Sequence, residues 1–174
     1  MKKFKILSSE KLVDEQYCPI EKQLVELPNG DQTYWFVNNT PDAVIVIAFL
    51  SDGQVLLQKN YKHGSGEFIT EFTAGMIDSG ETPADCAKRE LLEETGHSAE
   101  SFEKIGESFA NPTGSPMKYH FFVAKNCHKT GEQNLDQSEQ IEVFFAQNTE
   151  EARNILTNPK NHTSAASLAL LALI

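Results

Sequence analysis

Glu90, Glu93 and Glu94 fall within about one helical turn, with Glu81 a short way upstream and Arg89 among them. Carboxylates one turn apart on a helix repel, and each like-charged pair costs roughly 0.2–0.5 kcal/mol at an exposed site. Something cationic must offset that. Arg89 alone cannot neutralise four glutamates, whereas a hard divalent ion can. A donor set made of carboxylate oxygens suits Mg²⁺ or Mn²⁺ rather than Zn²⁺. The other reading of a bare E-x-x-E-E is a solvated acidic face.

The segment carrying these groups has helix punctuation of its own. Thr82 is placed to cap the N-terminus, Pro83 suits the first helical position, and Asp85 stands three residues after the cap, at the capping-box spacing. Gly96 can close the helix in the left-handed conformation. Ala84, Ala87 and Leu91 recur at i, i+3 and i+7 as a buried stripe beside the acidic face.

From Gly75 to His97 the chain resembles the Nudix box, G-x5-E-x7-R-E-U-x-E-E-x-G-U, with U aliphatic. Gly75, Glu81, Arg89, Glu90, Leu91, Glu93, Glu94 and Gly96 match, and His97 replaces the last aliphatic residue. The strand end before it, Glu71 to Gly75, is similar to the E-x-P-A-G of the ADP-ribose and nucleoside diphosphate sugar pyrophosphatase branch, with Thr73 in place of proline. The resemblance implies an α/β fold, the Nudix α/β/α sandwich with a mixed sheet, plus a small N-terminal β segment. It implies two or more Mg²⁺ (or Mn²⁺) ions held by Glu90, Glu94, Glu93 and the Ala74 carbonyl, with Glu81 ligating or supporting them and Arg89 bracing the glutamates. Gly75 and Lys62 are expected to meet substrate. The implied reaction is hydrolysis of the pyrophosphate bond of ADP-ribose or another nucleoside diphosphate sugar, giving a nucleoside monophosphate and a sugar phosphate. Nucleoside triphosphates or dinucleoside polyphosphates are the alternative substrates, and a non-catalytic nucleotide-binding module is the alternative from another class.

At 174 residues the chain fits one domain with a small addition. Residues 1–40 read as strands around a Pro28-Asn29-Gly30-Asp31 turn, and 41–174 as the hydrolase domain. By resemblance the N-terminal strands pair between two subunits, which predicts a homodimer. Trp35 and Tyr34, on opposite faces of one strand, are the candidates for stacking on a base. Ala43 to Leu50, AVIVIAFL, predicts a strand covered on both faces, and Glu67 to Ala74 a strand leading into the motif. Pro112, sixteen residues past Gly96, belongs by resemblance to the substrate loop, and Lys118 follows it. Lys129 to Gln140 is polar and reads as a mobile loop. In related enzymes a glutamate from this region activates water, which makes Glu139 the first candidate and Glu142 the second. Thr149 to Thr157 and Thr163 to Ile174 read as helices, the last packing on the sheet through its leucines.

A net charge of −10 argues against a nucleic-acid partner. Cys18, Cys86 and Cys127, odd in number and without C-x-x-C spacing, predict reduced thiols and a cytoplasmic setting. The N-terminal apolar run is too short for a signal peptide, and Ala165 to Ile174 is too short to cross a bilayer.

Overall fold

The computed structural model describes residues 1–160 and 163–173, and divides them into two compact units. Met1–Pro41 joins with Phe109–Lys118 in the first. There β1 (Lys5–Val13), β2 (Ile20–Glu26) and β3 (Gln32–Asn38) form an antiparallel sheet in that order. The β2–β3 turn forms where expected: Gly30 takes φ 91°, a conformation open to a residue without Cβ. β1 runs as far as Val13 because Lys5 to Val13 pairs along the whole of β2.

The second unit, Asp42–Ser108 with Tyr119–Ile174, is built on a mixed sheet. Its elements are β4 (Ala43–Leu50), β5 (Val55–Lys62), β6 (Glu67–Glu71), β7 (Thr73–Met76), α1 (Pro83–Thr95), β8 (His97–Ser98), β9 (Ser101–Phe109), β10 (Lys118–Lys129), β11 (Ile141–Ala146), α2 (Thr149–Leu156) and α3 (Ser164–Ala172). The sheet runs β11-β5-β4-β10-β8, with β6 on β5, β7 on β4 and β9 on β10. β10 lies parallel to β4, while β5 and β7 pair with β4 antiparallel.

Alternation along β4 explains the layers. Val44, Val46 and Ala48 pack with Cys86, Ala87 and Leu91 of α1. Ile45 and Ile47 pack on the other face with Ala152 and Leu156 of α2 and Ala166, Ala169 and Leu170 of α3. A strand buried on both sides needs no polar alternation, and AVIVIAFL has none. On α3 Leu170 is buried with Ala166 and Ala169, and Leu168 and Leu173 pack half-buried against the same cluster, so the leucines make the expected contact with the exception of exposed Leu171. The expected strand Glu67–Ala74 breaks at buried Phe72, where the chain leaves β5 as a partner and takes up β4.

The ends of α1 follow the local chemistry. Thr82 accepts the Asp85 N–H through Oγ1 at 3.2 Å, and Gly96 adopts φ 71° with its N–H on the Leu92 carbonyl. Thr82→Ala should therefore lower stability by about 1 kcal/mol, read from urea unfolding of the metal-free protein. His97, the departure from the aliphatic pattern, is buried with Nδ1 2.8 Å from the Thr95 carbonyl oxygen and its ring edge-on to Phe145. Its polar atom is satisfied, so it packs where an aliphatic side chain would.

Candidate active site

Arg89 is the hub of the acidic helix. Nε and Nη2 donate to the two oxygens of Glu81 at 2.8 and 2.9 Å, and Nη1 donates to Glu90 at 2.7 Å and Glu93 at 3.1 Å. Nη2 also donates to the Met76 carbonyl at 3.1 Å, tying the helix to the end of β7. The planar fork suits such multiple engagement better than an ammonium would. The guanidinium holds the Glu81 carboxyl at about 2, and Glu81 in turn keeps Arg89 more firmly protonated than usual. With both oxygens on Arg89, Glu81 serves as its anchor. The Cys86 thiol beside them is pushed well above its ordinary range, first by burial and then by the Glu81 and Glu90 charges, which disfavours the thiolate form.

Glu90 and Glu94 behave differently. Both are buried, Glu94 to 3% exposure. Burial raises the Glu90 pKa against the pull of Arg89. It pushes Glu94 to about 8, with the charges of Glu90, Glu139 and Glu71 adding to the effect and the Gln58 hydrogen bond opposing it. Gln58 Nε2 and the Ala74 N–H both donate to Glu94 Oε2, at 2.9 and 3.3 Å. Since Ala74 stands opposite Ile45 in an antiparallel pair and its N–H turns away from β4, its carbonyl turns away from β4 too. Gly75 sits directly under Glu90, and a Cβ there would collide with the carboxylate. Glycine is thus what lets the strand end approach the helix.

These donors fit a hard divalent ion: oxygens only, two of them on desolvated carboxylates that repel each other, with a backbone carbonyl turned out of the sheet. Among the described residues no three His, Cys, Asp or Glu side chains are arranged to hold a metal as they stand, and Glu81, Glu90 and Glu93 are paired with Arg89.

Comparison with known proteins agrees with this geometry. The family model of the NUDIX domain matches residues 39–168. The chain belongs to the Nudix family. It is 31% identical over 141 residues to an ADP-ribose pyrophosphatase of Bacillus subtilis (strain 168), covering 80% of this chain and 76% of that one. It is 29% identical, with the same coverage, to a methanol dehydrogenase activator of Bacillus methanolicus. A solved structure described as an ADP compounds hydrolase superposes with a TM-score of 0.86 at 22% identity, over 99% of this chain and 93% of that one, which shows the same fold.

Around the Nudix helix the remaining candidates separate. Glu139 accepts the Asp136 N–H at 2.9 Å, and its charge reaches both Glu90 and Glu94. Glu142 stands opposite Lys59 on β5, one residue out of phase with Gln58, so it lies on the sheet face away from α1. It lines a surface cleft of about 480 Å³ with Lys59, Phe68 and Leu135. The loop read as mobile is tied to the C-terminus of α1. Thr130 and Gly131 N–H groups donate to the Gly96 carbonyl, the Asn134 N–H donates to Glu93 O, and Gln133 Nε2 donates to Glu94 O and Ile141 O. The Glu93, Glu94 and Gly96 carbonyls stand at the end of α1 without a partner inside the helix, and the loop supplies their donors.

Lys62 does not stand unpaired: Nζ is 2.5 Å from Glu71, which also accepts Asn60 Nδ2 at 3.4 Å. Trp35, Tyr34, Pro112 and Lys118 belong to the first unit. Trp35 is half-buried there, with Nε1 donating to the Thr113 carbonyl at 2.9 Å and Phe4 at its ring edge, while Tyr34 is exposed beneath Lys22. Pro112 lines a cleft of about 410 Å³ within that unit, and Lys118 Nζ lies over the Phe109 ring. Sequence reasoning missed Gln58 and Gln133. A lone glutamine after Val55-Leu56-Leu57 was the available signal for the first.

Proposed function

We propose that the chain hydrolyses the pyrophosphate bond of a nucleoside diphosphate joined to a sugar, with ADP-ribose the first substrate to try. The observation that carries this is the buried, mutually repelling pair Glu90 and Glu94 beside the Ala74 carbonyl. The 31% identical ADP-ribose pyrophosphatase supports the choice of substrate. Mg²⁺ or Mn²⁺ held by Glu90, Glu94 and the Ala74 carbonyl, with Glu93 at the rim, would offset the charge of the bridging phosphates and acidify the attacking water. Arg89 keeps Glu90 and Glu93 in place, and Glu139 accepts the proton that water gives up. One P–O bond of the anhydride breaks as the water oxygen bonds to phosphorus, leaving a nucleoside monophosphate and a sugar phosphate. Lys62 shares its charge between Glu71 and the substrate phosphates.

The test is a panel of ADP-ribose, GDP-mannose, UDP-glucose, NADH and nucleoside triphosphates with Mg²⁺, with both products identified. Cleavage of triphosphates alone would move the chain to another Nudix class, and cleavage of nothing would make it a binding module. Glu139→Gln should lower kcat by about 10²-fold or more with KM little changed, whereas Glu142→Gln should leave both near wild type. Equal losses in the two variants would remove Glu139 from its role.

The proposal extends to a homodimer formed through the first unit. β1 has a paired neighbour on one side only, among the described residues, and exposes Ile6, Leu7 and Leu12. A nine-residue open edge of that kind is a ready site for another strand. Light scattering coupled to gel filtration should give twice the chain mass of 19.4 kDa, and a monomer would refute it.

A further inference from the structure

Gln58 is a polar side chain with no exposed surface at all, on a strand whose preceding residues Val55, Leu56 and Leu57 are core. Its two ends are both engaged. Nε2 donates to Glu94 Oε2 at 2.9 Å, and Oε1 accepts the Thr73 hydroxyl at 3.3 Å. Thr73 is also fully buried. The side chains come from β5, β7 and α1, three elements that meet on one sheet face, so the chain of contacts crosses the layer between sheet and helix.

Glu94 Oε2 already accepts the Ala74 N–H and so stands as an acceptor, which fixes the Gln58 amide with its nitrogen toward the carboxyl. That orientation turns Oε1 toward Thr73, where a buried acceptor needs a donor and the hydroxyl supplies one. Each group thereby determines the next, and a partly satisfied version would be worse than an apolar one. A leucine or methionine would fill the Gln58 site without such constraints, so packing alone does not account for the glutamine.

We infer that Gln58 and Thr73 are positioning residues which hold the Glu94 carboxylate in the orientation that receives a divalent ion. Neither touches substrate. The inference rests on the reading of Glu94 as an ion ligand, and the experiment separates the two. Binding of Mn²⁺ alone is measured by the loss of the free-ion electron paramagnetic resonance signal, in the full chain and in Glu94→Gln, Gln58→Leu, Thr73→Val and Thr73→Ser. Metal-free thermal unfolding establishes that each variant is folded. Thr73→Val, close to isosteric, keeps the test decisive should Gln58→Leu fail to fold.

Gln58→Leu and Thr73→Val should each weaken Mn²⁺ binding by about 10-fold or more, the size usual for partners of metal-ligating side chains, and Thr73→Ser should stay within about 2-fold of wild type. If Glu94→Gln weakens binding while Thr73→Val and Gln58→Leu do not, the positioning inference is overturned and the function stands. Thr73→Ser losing as much as Thr73→Val would also overturn it, since the hydroxyl would then be irrelevant. Unchanged binding in Glu94→Gln would overturn the ligand reading itself.

Discussion

Glu94→Gln is expected to remove about 10²–10³-fold of kcat for the pyrophosphate substrate while leaving the fold intact, a loss of roughly 3–4 kcal/mol of transition-state stabilisation. The glutamine is nearly isosteric, and its oxygen can still accept from Gln58 Nε2 and the Ala74 N–H, the two contacts the carboxylate makes. What it lacks is the negative charge. Steady-state kinetics at saturating Mg²⁺, beside metal-free thermal unfolding, distinguish the two consequences. Near-normal turnover would sink the assignment of Glu94 to the ion, and with it the account of why so acidic a cluster is buried.

The same residue sets a pH signature. In the metal-free folded chain Glu94 titrates at about 8, against an ordinary value of 4.5, so between those values the folded state holds a proton that the unfolded chain has released. Stability from this group therefore falls as pH rises from about 4.5 to about 8, by an amount on the order of a few kcal/mol. Glu81, held at about 2, works in the opposite sense and contributes stability that is lost as pH falls below 4.5. Metal-free melting temperature should thus decline from pH 5 to pH 8, and Glu94→Gln should flatten that decline. Mg²⁺ should stabilise the wild type more at pH 8 than at pH 6, because binding requires the carboxylate without its proton. A metal-free profile that rises through this interval would contradict the burial argument.

Which parts of this arrangement were legible beforehand depends on whether the deciding interaction is local. Thr82, Pro83, Asp85 and Gly96 act within a few residues of themselves, and the helix they delimit is found at Pro83–Thr95. The apolar run Ala43–Leu50 declares burial on both faces through composition alone. Contacts across the fold leave a weaker trace. Glu139 and Glu142 are indistinguishable as residue types, and only the pairing of Glu142 with Lys59 sends one of them to the far face. The segment after Lys129 is polar enough to pass for a mobile loop, yet its amides serve carbonyls at the end of a helix more than thirty residues earlier. Thr73, a departure from the related strand end when read in the sequence, has a hydroxyl engaged by Gln58.

Arg89→Ala should produce the largest loss of stability. It removes every guanidinium donor to Glu81, Glu90 and Glu93, leaves Glu81 the Asp78 N–H at 3.2 Å, and strands carboxylates of which Glu81 and Glu90 keep only 16% and 11% of their side-chain surface in water. Breaking a buried pair from one side costs about 3–5 kcal/mol, and the partial exposure of Arg89 brings the expectation to roughly 2–4 kcal/mol. For a domain of this size that is a fall in melting temperature of about 5–15 °C. Arg89→Lys keeps the charge but cannot span Glu81, Glu90 and the Met76 carbonyl at once, so it should recover only part of the loss. Mg²⁺ should raise the melting temperature of Arg89→Ala by more than that of the wild type, since a divalent ion then meets carboxylates no longer tied to a guanidinium. Full recovery by lysine would reduce Arg89 to a point charge. A melting temperature for Arg89→Ala within about 1 °C of wild type would mean that the glutamates are not held against their own repulsion, and that the strand end at Gly75 is fixed by something other than this side chain.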